Sequence, residues 1–148
     1  MNEGMNKTVQ LNKHLVEQLY TDCINNGCLE RLDDLIHQDF VGSRGEKGPE
    51  GYTQTIAMVR TGFPDVYFRI EDLIGENDRV VARWRMEGTH LGPFAGFPAT
   101  GKRVMQTAIV IYRVKDGKLV RAWLQRDSLG LLQQIGAIAA LPVNPPKA

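Results

Sequence analysis

Apolar residues in the first part of the chain recur with the spacing of helices. One set of adjacent apolar pairs recurs every four residues and predicts an amphipathic helix of about four turns that ends at Gly27. The pairs are formed by Leu15, Val16, Leu19, Tyr20, Cys23 and Ile24. A second short helix is predicted over 29–36, and a third runs from Pro49 to about Arg60. His37–Val41 predicts the entry into a short strand.

From Val66 onwards the period of the apolar residues changes from 3.6 to 2. The alternation predicts four strands, at Val66–Ile74, Arg79–Gly88, Val104–Val114 and Leu119–Arg126. Asp116-Gly117 predicts a tight hairpin turn between the last two strands. A last short helix is predicted from Ser128 to about Ile135. Helices followed by antiparallel strands indicate an α+β fold, with helices covering one face of a sheet.

The length of 148 residues predicts one domain, with a core over about 11–136 and flexible ends at 1–8 and 141–148. A net charge of +1 argues against nucleic acid or an anionic membrane as the main partner. No apolar run reaches the roughly 18 residues of a membrane span, and the N-terminus lacks the apolar core of a signal peptide. We therefore expect a cytoplasmic protein.

Cofactor and metal motifs do not stand out in the sequence. The three histidines, His14, His37 and His90, are scattered, with no cysteine or histidine at metal-ligand spacing beside them. No glycine-rich phosphate loop follows a strand, and no serine nucleophile elbow is present. We expect neither a metal nor a cofactor.

The segment between Gly88 and Gly101 is a long glycine- and proline-rich connection between two strands. Loops of this length inside a compact domain are often functional lids. The alternative is a plain extended crossover. His90 lies in this segment and has either a structural role or a place in a site.

The last strand carries the strongest polar pattern. Trp123, Gln125 and Asp127 share one face, and Ala122 and Leu124 share the other. If the tryptophan face is the inner one, a carboxylate enters the apolar interior, where burial suits it to general acid–base chemistry near neutral pH. The alternative is that Asp127 caps the helix that begins at Ser128.

Asp39 and the arginines of the predicted strands are the remaining polar residues with a predicted place in the fold. Asp39, just past a helix, either enters the mouth of a pocket or caps a turn. Arg83 and Arg85 alternate with apolar neighbours and indicate a solvated or interfacial face of the sheet. Together with Arg113 they suggest a homodimer through the sheet surface.

Three segments resemble the SnoaL-like polyketide cyclases, a branch of the nuclear transport factor 2-like superfamily. They are the GTHLGPFAGFPATGKR segment (88–103), the YRVKDGKLV hairpin (112–120), and Trp123 with Asp127 and SLGLLQQIG (128–136). The resemblance implies a cone-shaped α+β barrel, in which a strongly curved mixed sheet wraps the N-terminal helices around a deep apolar pocket. It also implies that the face with Trp123, Gln125 and Asp127 is the pocket face.

The same resemblance implies that Asp127 is the acid–base residue of a ring closure that needs no cofactor. The polar residues that cyclases place on the preceding strand are matched here by Ala108 and Val110, which donate no hydrogen bond. The predicted substrate-binding residues are Trp123, Gln125, Ala108, Val110, Trp84, Asp39, His90 and Tyr20.

Three functions follow as hypotheses. The first is an enzyme that uses acid–base chemistry on a small apolar carbonyl compound or related metabolite, with Asp127 as its acid–base group. The second is a non-catalytic protein that binds a small apolar molecule, which Ala108 and Val110 favour. The third is an interaction module without a pocket.

Overall fold

Helices predominate up to Gly62 and the long strands follow, as the change of period predicts. The computed structural model describes residues 3–139, so the predicted flexible ends lie partly outside the described residues. Before the long strands the chain forms α1 (Glu3–Gln18), a π-helical segment (Leu19–Asn25), a 3₁₀ turn (Leu29–Arg31), α2 (Leu32–Leu35), β1 (Ile36–Val41) and α3 (Gly48–Gly62).

The long strands are β2 (Tyr67–Glu76), β3 (Arg79–Thr89), β4 (Arg103–Lys115) and β5 (Lys118–Arg126), followed by α4 (Ser128–Gln134). Together with β1, the four long strands form one curved, unclosed mixed sheet in the order β1-β5-β4-β3-β2. β1 pairs with β5 in parallel, and the other pairs are antiparallel. The predicted α+β class is confirmed, and β1 adds the parallel edge strand.

The two faces of the sheet differ as the alternation predicts. Ala82, Trp84 and Met86 of β3 are buried beneath the helices, whereas Arg83 is exposed. On the outer face Arg83 pairs with Asp72 of β2 at 2.7 Å. The apolar core therefore lies between the inner face of the sheet and the helices.

The first helix differs from its prediction in length and form. It begins at Glu3, well before the apolar stripe, and its last part is π-helical rather than α-helical. Gly27 follows with a φ of 73°, a left-handed conformation that suits glycine at a helix end. No helix among residues 3–139 is long and apolar enough to cross a membrane.

The connection between β3 and β4 packs on the end of α3. The backbone N–H groups of Leu91 and Gly92 both donate to the carbonyl of Gly62. The Phe94 ring lies edge-on to Phe63, with 5.0 Å between the ring centroids. This segment is therefore docked onto the helical layer.

Candidate functional site

A cavity of about 130 Å³ lies between the inner face of the sheet, the π-helical segment and α3. Its walls are mainly apolar and include Ile24, Phe40, Ile56, Phe68, Val110 and Leu124. An apolar cavity of about 150 Å³ is large enough to bind benzene. The cavity therefore has the dimensions and the chemistry for a small, ring-sized apolar molecule.

Three tyrosine hydroxyl groups meet inside this apolar cavity, and we call Tyr20, Tyr52 and Tyr112 the tyrosine cluster. The hydroxyl oxygen of Tyr112 lies 2.8 Å from that of Tyr20 and 3.1 Å from that of Tyr52. Tyr112 is therefore the centre of a short hydrogen-bonded chain. The three residues come from separate elements, namely the π-helical segment, α3 and β4.

The tyrosine cluster is neutral at physiological pH. Burial raises the pKa of Tyr20 and of Tyr112 well above the usual value, and it raises the pKa of Tyr52 to about 12. A low-polarity environment disfavours the phenolate in each case. The cluster consequently presents hydroxyl groups, each of which carries one proton that it can donate.

Trp84 adds an unpaired donor to the same cavity. Its indole sits on β3 and is 5% exposed, and it packs edge-on against Phe68 with 4.8 Å between ring centroids. The indole N–H interacts weakly with the Tyr20 hydroxyl. It makes no well-formed hydrogen bond with any described residue. A buried N–H without a partner costs about 1–3 kcal/mol, so an acceptor placed against this group would remove that cost.

The π-helical segment brings Tyr20 to the cluster. π-Helical segments are rare in proteins, and those that occur are often found at functional sites. Arg60 of α3 holds the end of the segment by donating from Nη1 to the carbonyl oxygens of Ile24 and Asn25, at 2.8 and 3.1 Å. The side-chain amide of Asn25 in turn donates a hydrogen bond to the backbone carbonyl of Phe68 on β2 and accepts one from the Phe68 N–H. These contacts fix the segment between α3 and the sheet.

Polar residues surround one end of the cavity. Ser43, Arg44, Glu46 and Arg126 all line it, and Ser43 and Arg44 are exposed, so this end is the mouth. The Ser43 hydroxyl donates to the Ala122 carbonyl and accepts from the Leu124 N–H, on the part of β5 that lies beyond its pairing with β1. The mouth is thereby held against the sheet.

The prediction that Trp123 and Gln125 face the pocket is wrong. Both side chains are exposed on the outer face of the sheet. The guanidinium groups of Arg79 and Arg121 lie over the Trp123 ring, at 5.0 and 5.3 Å from its centroid. Ala122 and Leu124 are on the inner face, opposite Tyr112 and Val110 of β4. The more apolar face of β5 is the buried one, as the hydrophobic effect requires.

Asp127 lies at the N-terminus of α4 and outside the cavity lining. Its Oδ1 accepts a hydrogen bond from the backbone N–H of Gly130 at 2.8 Å, which is helix capping. Its side chain is exposed, and its backbone carbonyl accepts from Nε2 of Gln106 at 3.2 Å. The capping alternative therefore describes its position.

Asp39, His90 and Ala108 are also absent from the cavity lining. Asp39 projects into solvent beside His37, with the side chain 79% exposed. His90 is fully buried below the β3–β4 connection, where its Nδ1 lies 2.9 Å from Oγ1 of Thr100. Ala108 is buried on β4. Of the predicted site residues, Tyr20, Trp84 and Val110 line the cavity.

Sequence reasoning missed Tyr52, Tyr112, Gln106 and Glu46. Tyr52 lies in the third predicted helix, and Tyr112 is the first residue of the YRVKDGKLV segment. A signal was available, because Gln106, Val110 and Tyr112 share one face of β4 by the two-residue period. Within the described part of the chain no group of three metal-ligating side chains exists.

Comparison with known proteins supports the resemblance. The family model described as SnoaL-like polyketide cyclase matches residues 14–135. Aklanonic acid methyl ester cyclase DnrD of Streptomyces peucetius is 29% identical over 125 residues, covering 82% of this chain and 77% of that protein. Nogalonic acid methyl ester cyclase of Streptomyces nogalater is 28% identical over 120 residues, covering 76% and 88% respectively.

Among solved structures, that of TsrD from Streptomyces laurentii matches with a TM-score of 0.79 and 28% identity. The match covers 93% of this chain and 99% of that one. The family model spans well over half of the chain, and the curved α+β fold agrees with it. The chain belongs to the SnoaL-like polyketide cyclase family.

Proposed function

We propose that the chain binds a small apolar molecule with one carbonyl or phenolic oxygen, and that it catalyses a cofactor-independent acid–base reaction on that molecule. The observation that carries the proposal is the tyrosine cluster beside the unpaired Trp84 N–H, inside a mainly apolar cavity. The rings of the ligand lie against the apolar walls, and its oxygen lies at these donors.

The number of donors supports this placement. Three hydroxyl groups carry three protons, and the two hydrogen bonds within the cluster use two of them. One hydroxyl proton and the Trp84 N–H therefore remain for an acceptor on the ligand. An oxygen at this position gives the buried N–H its missing partner, whereas an apolar molecule leaves it unpaired.

The same donors suit a reaction in which negative charge develops on the ligand oxygen. Enolate formation next to a carbonyl places charge on that oxygen, and neutral donors in a water-poor site stabilise it. Loss of one such donor typically slows a reaction by about 100–1000-fold. The relatives in this family are named as cyclases of methyl esters, and ring closure through an enolate is the corresponding proposal for this chain.

Non-catalytic binding is the second candidate. The inner faces of β4 and β5 carry Ala108, Val110 and Leu124 where acid–base groups facing the ligand would be expected. Asp127 caps α4 outside the cavity. A chain that binds the ligand without turnover agrees with these positions.

The test compares 1-indanone with indane, which is the same ring system without the oxygen, by calorimetric titration. We expect the ketone to bind more tightly by about three- to tenfold, the worth of one hydrogen bond. Tyr112→Phe should remove most of this difference, and Tyr67→Phe should leave it unchanged because Tyr67 is 60% exposed on β2. Equal affinity for both compounds, or no binding of either, contradicts the proposal.

A further inference from the structure

Glu46 is the carboxylate at the mouth of the cavity, and among the described lining residues it is the one acid. The tight loop between β1 and α3 holds it, since the N–H of Gly42 donates to its backbone carbonyl at 2.8 Å. Its side-chain Oε2 accepts a hydrogen bond from the backbone N–H of Arg44 at 3.1 Å. Oε1 accepts no hydrogen bond from a described residue, so it is available to another donor.

The carboxylate lies directly over the backbone of Gly42, and a side chain at position 42 would overlap it. Gly42 also lines the cavity, which places the carboxylate on the cavity side of the loop. Its charge reaches the tyrosine cluster: burial is the main reason why the pKa of Tyr52 rises to about 12, and Glu46 adds to the rise. Glu46 is half-buried, so it is close to the ligand space and still in reach of solvent.

We infer that Glu46 is the general base that removes a proton from the carbon next to the ligand carbonyl. This inference rests on the proposed placement of the carbonyl oxygen at the tyrosine cluster. The geometry gives two groups with different tasks, namely a carboxylate at the mouth and neutral donors in the interior. Asp39 and Asp127, the acids expected from the sequence, lie outside the cavity lining.

In the reaction the C–H bond next to the carbonyl breaks, and its proton moves to Oε1 of Glu46. The electron pair of that bond forms the carbon–carbon double bond of an enolate. The π electrons of the carbonyl move to its oxygen, which accepts hydrogen bonds from the tyrosine cluster and from Trp84. Replacement of that proton on Glu46 by one from solvent, and delivery of the solvent proton to the carbon, completes an exchange. Alternatively, attack of the enolate carbon on a second carbonyl of the same molecule closes a ring, and the proton on Glu46 then goes to the new alkoxide. Neither route requires an oxidant or a reductant.

The experiment uses proton NMR to follow how fast the protons next to the carbonyl of 1-indanone exchange with heavy water, with the 148-residue chain as catalyst. The variant is Glu46→Gln, in which the amide oxygen can still accept from Arg44. Glu50→Gln is the matched control, because Glu50 is an exposed acid in the first turn of α3 and outside the cavity lining. Glu46→Asp, with the same charge and a shorter reach, is a second variant.

We expect the unmodified chain to accelerate exchange, and Glu46→Gln to reduce the acceleration by about 100-fold or more, the usual contribution of a general base. Binding of 1-indanone and the circular dichroism spectrum should be retained, Glu50→Gln should be fully active, and Glu46→Asp should be intermediate. Full acceleration in Glu46→Gln overturns the inference and leaves the proposed function standing. Binding without any acceleration by the unmodified chain also overturns it and favours the non-catalytic candidate. Absence of binding removes the proposed function itself.

Discussion

Tyr112 is the residue on which the site depends most, because it bonds the hydroxyl groups of both Tyr20 and Tyr52. Its side chain is 1% exposed, so no solvent replaces those partners. The two-residue period places it on the same face of β4 as Val110, but it does not indicate its partners, since the three tyrosines lie far apart in sequence. Only the folded arrangement of the π-helical segment, α3 and β4 brings the three hydroxyl groups together.

Tyr112→Phe should lower the free energy of unfolding by about 1–3 kcal/mol, because it leaves two buried hydroxyl groups with fewer partners. Urea denaturation followed by circular dichroism measures the change. Tyr67→Phe on the exposed face of β2 serves as the control and should have little effect. Equal stability of the two variants would contradict the hydrogen-bonded arrangement of the cluster.

The tyrosine cluster should also make the fold sensitive to alkali. Each of the three phenols has a higher pKa in the folded chain than the unfolded reference of about 10. The bound protons therefore stabilise the fold fully below about pH 10, and this stabilisation is lost as the pH rises through about 12, the value for Tyr52.

A spectrophotometric titration in the near ultraviolet tests this sensitivity. The three cluster tyrosines should ionise together with alkaline unfolding, and Tyr112→Phe should move that transition to lower pH by destabilising the fold. Reversible ionisation of all four tyrosines near pH 10 in a folded chain would be incompatible with the buried cluster.

At the scale of elements, β5 and α4 show where sequence reasoning succeeds and where it stops. The two-residue period placed Trp123 and Gln125 on one face and Ala122 and Leu124 on the other, which is correct. The period does not say which face is inside. Pairing of Ala122 and Leu124 with the buried Tyr112 and Val110 of β4 determines that their face is the inner one. The position of α4 places Asp127 at its N-terminus as a cap.

Two substitutions at Asp127 separate capping from catalysis. Asp127→Ala should cost about 1 kcal/mol in unfolding free energy through loss of the cap, whereas Asp127→Asn should cost little because asparagine caps helices comparably well. Urea denaturation measures both. Asp127→Asn should retain the exchange of 1-indanone protons, and a folded Asn variant with about 100-fold slower exchange would mean that this carboxylate reaches the ligand after all.

At the scale of the whole molecule, the α+β class, the order of the elements and the family followed from periodicity and three motifs. The depth and lining of the cavity did not follow, because they depend on how the sheet curves over α3. The outer face of the sheet combines ion pairs with exposed apolar side chains, including Ile74, Ile109 and Trp123. The predicted homodimer through this face stays a prediction.

Sedimentation velocity tests the dimer. We expect the unmodified chain to sediment as a dimer and Ile109→Glu, in the middle of the outer face of β4, to sediment as a monomer. Leu129→Glu, an exposed apolar position on α4, is the control and should remain dimeric. A monomeric unmodified chain would refute the prediction.

The most direct test of the central claim, that the ligand oxygen lies at the tyrosine cluster, uses the two indole N–H groups of the chain. Trp84 lies in the cavity and Trp123 lies on the outer face, so each protein sample contains its own control. Nitrogen-15 NMR follows both indole signals while 1-indanone is added. We predict that the Trp84 proton signal moves downfield, as a new hydrogen bond requires, while the Trp123 signal stays in place. A shift of Trp123 alone, or of neither signal at saturating ligand, would contradict the placement of the oxygen.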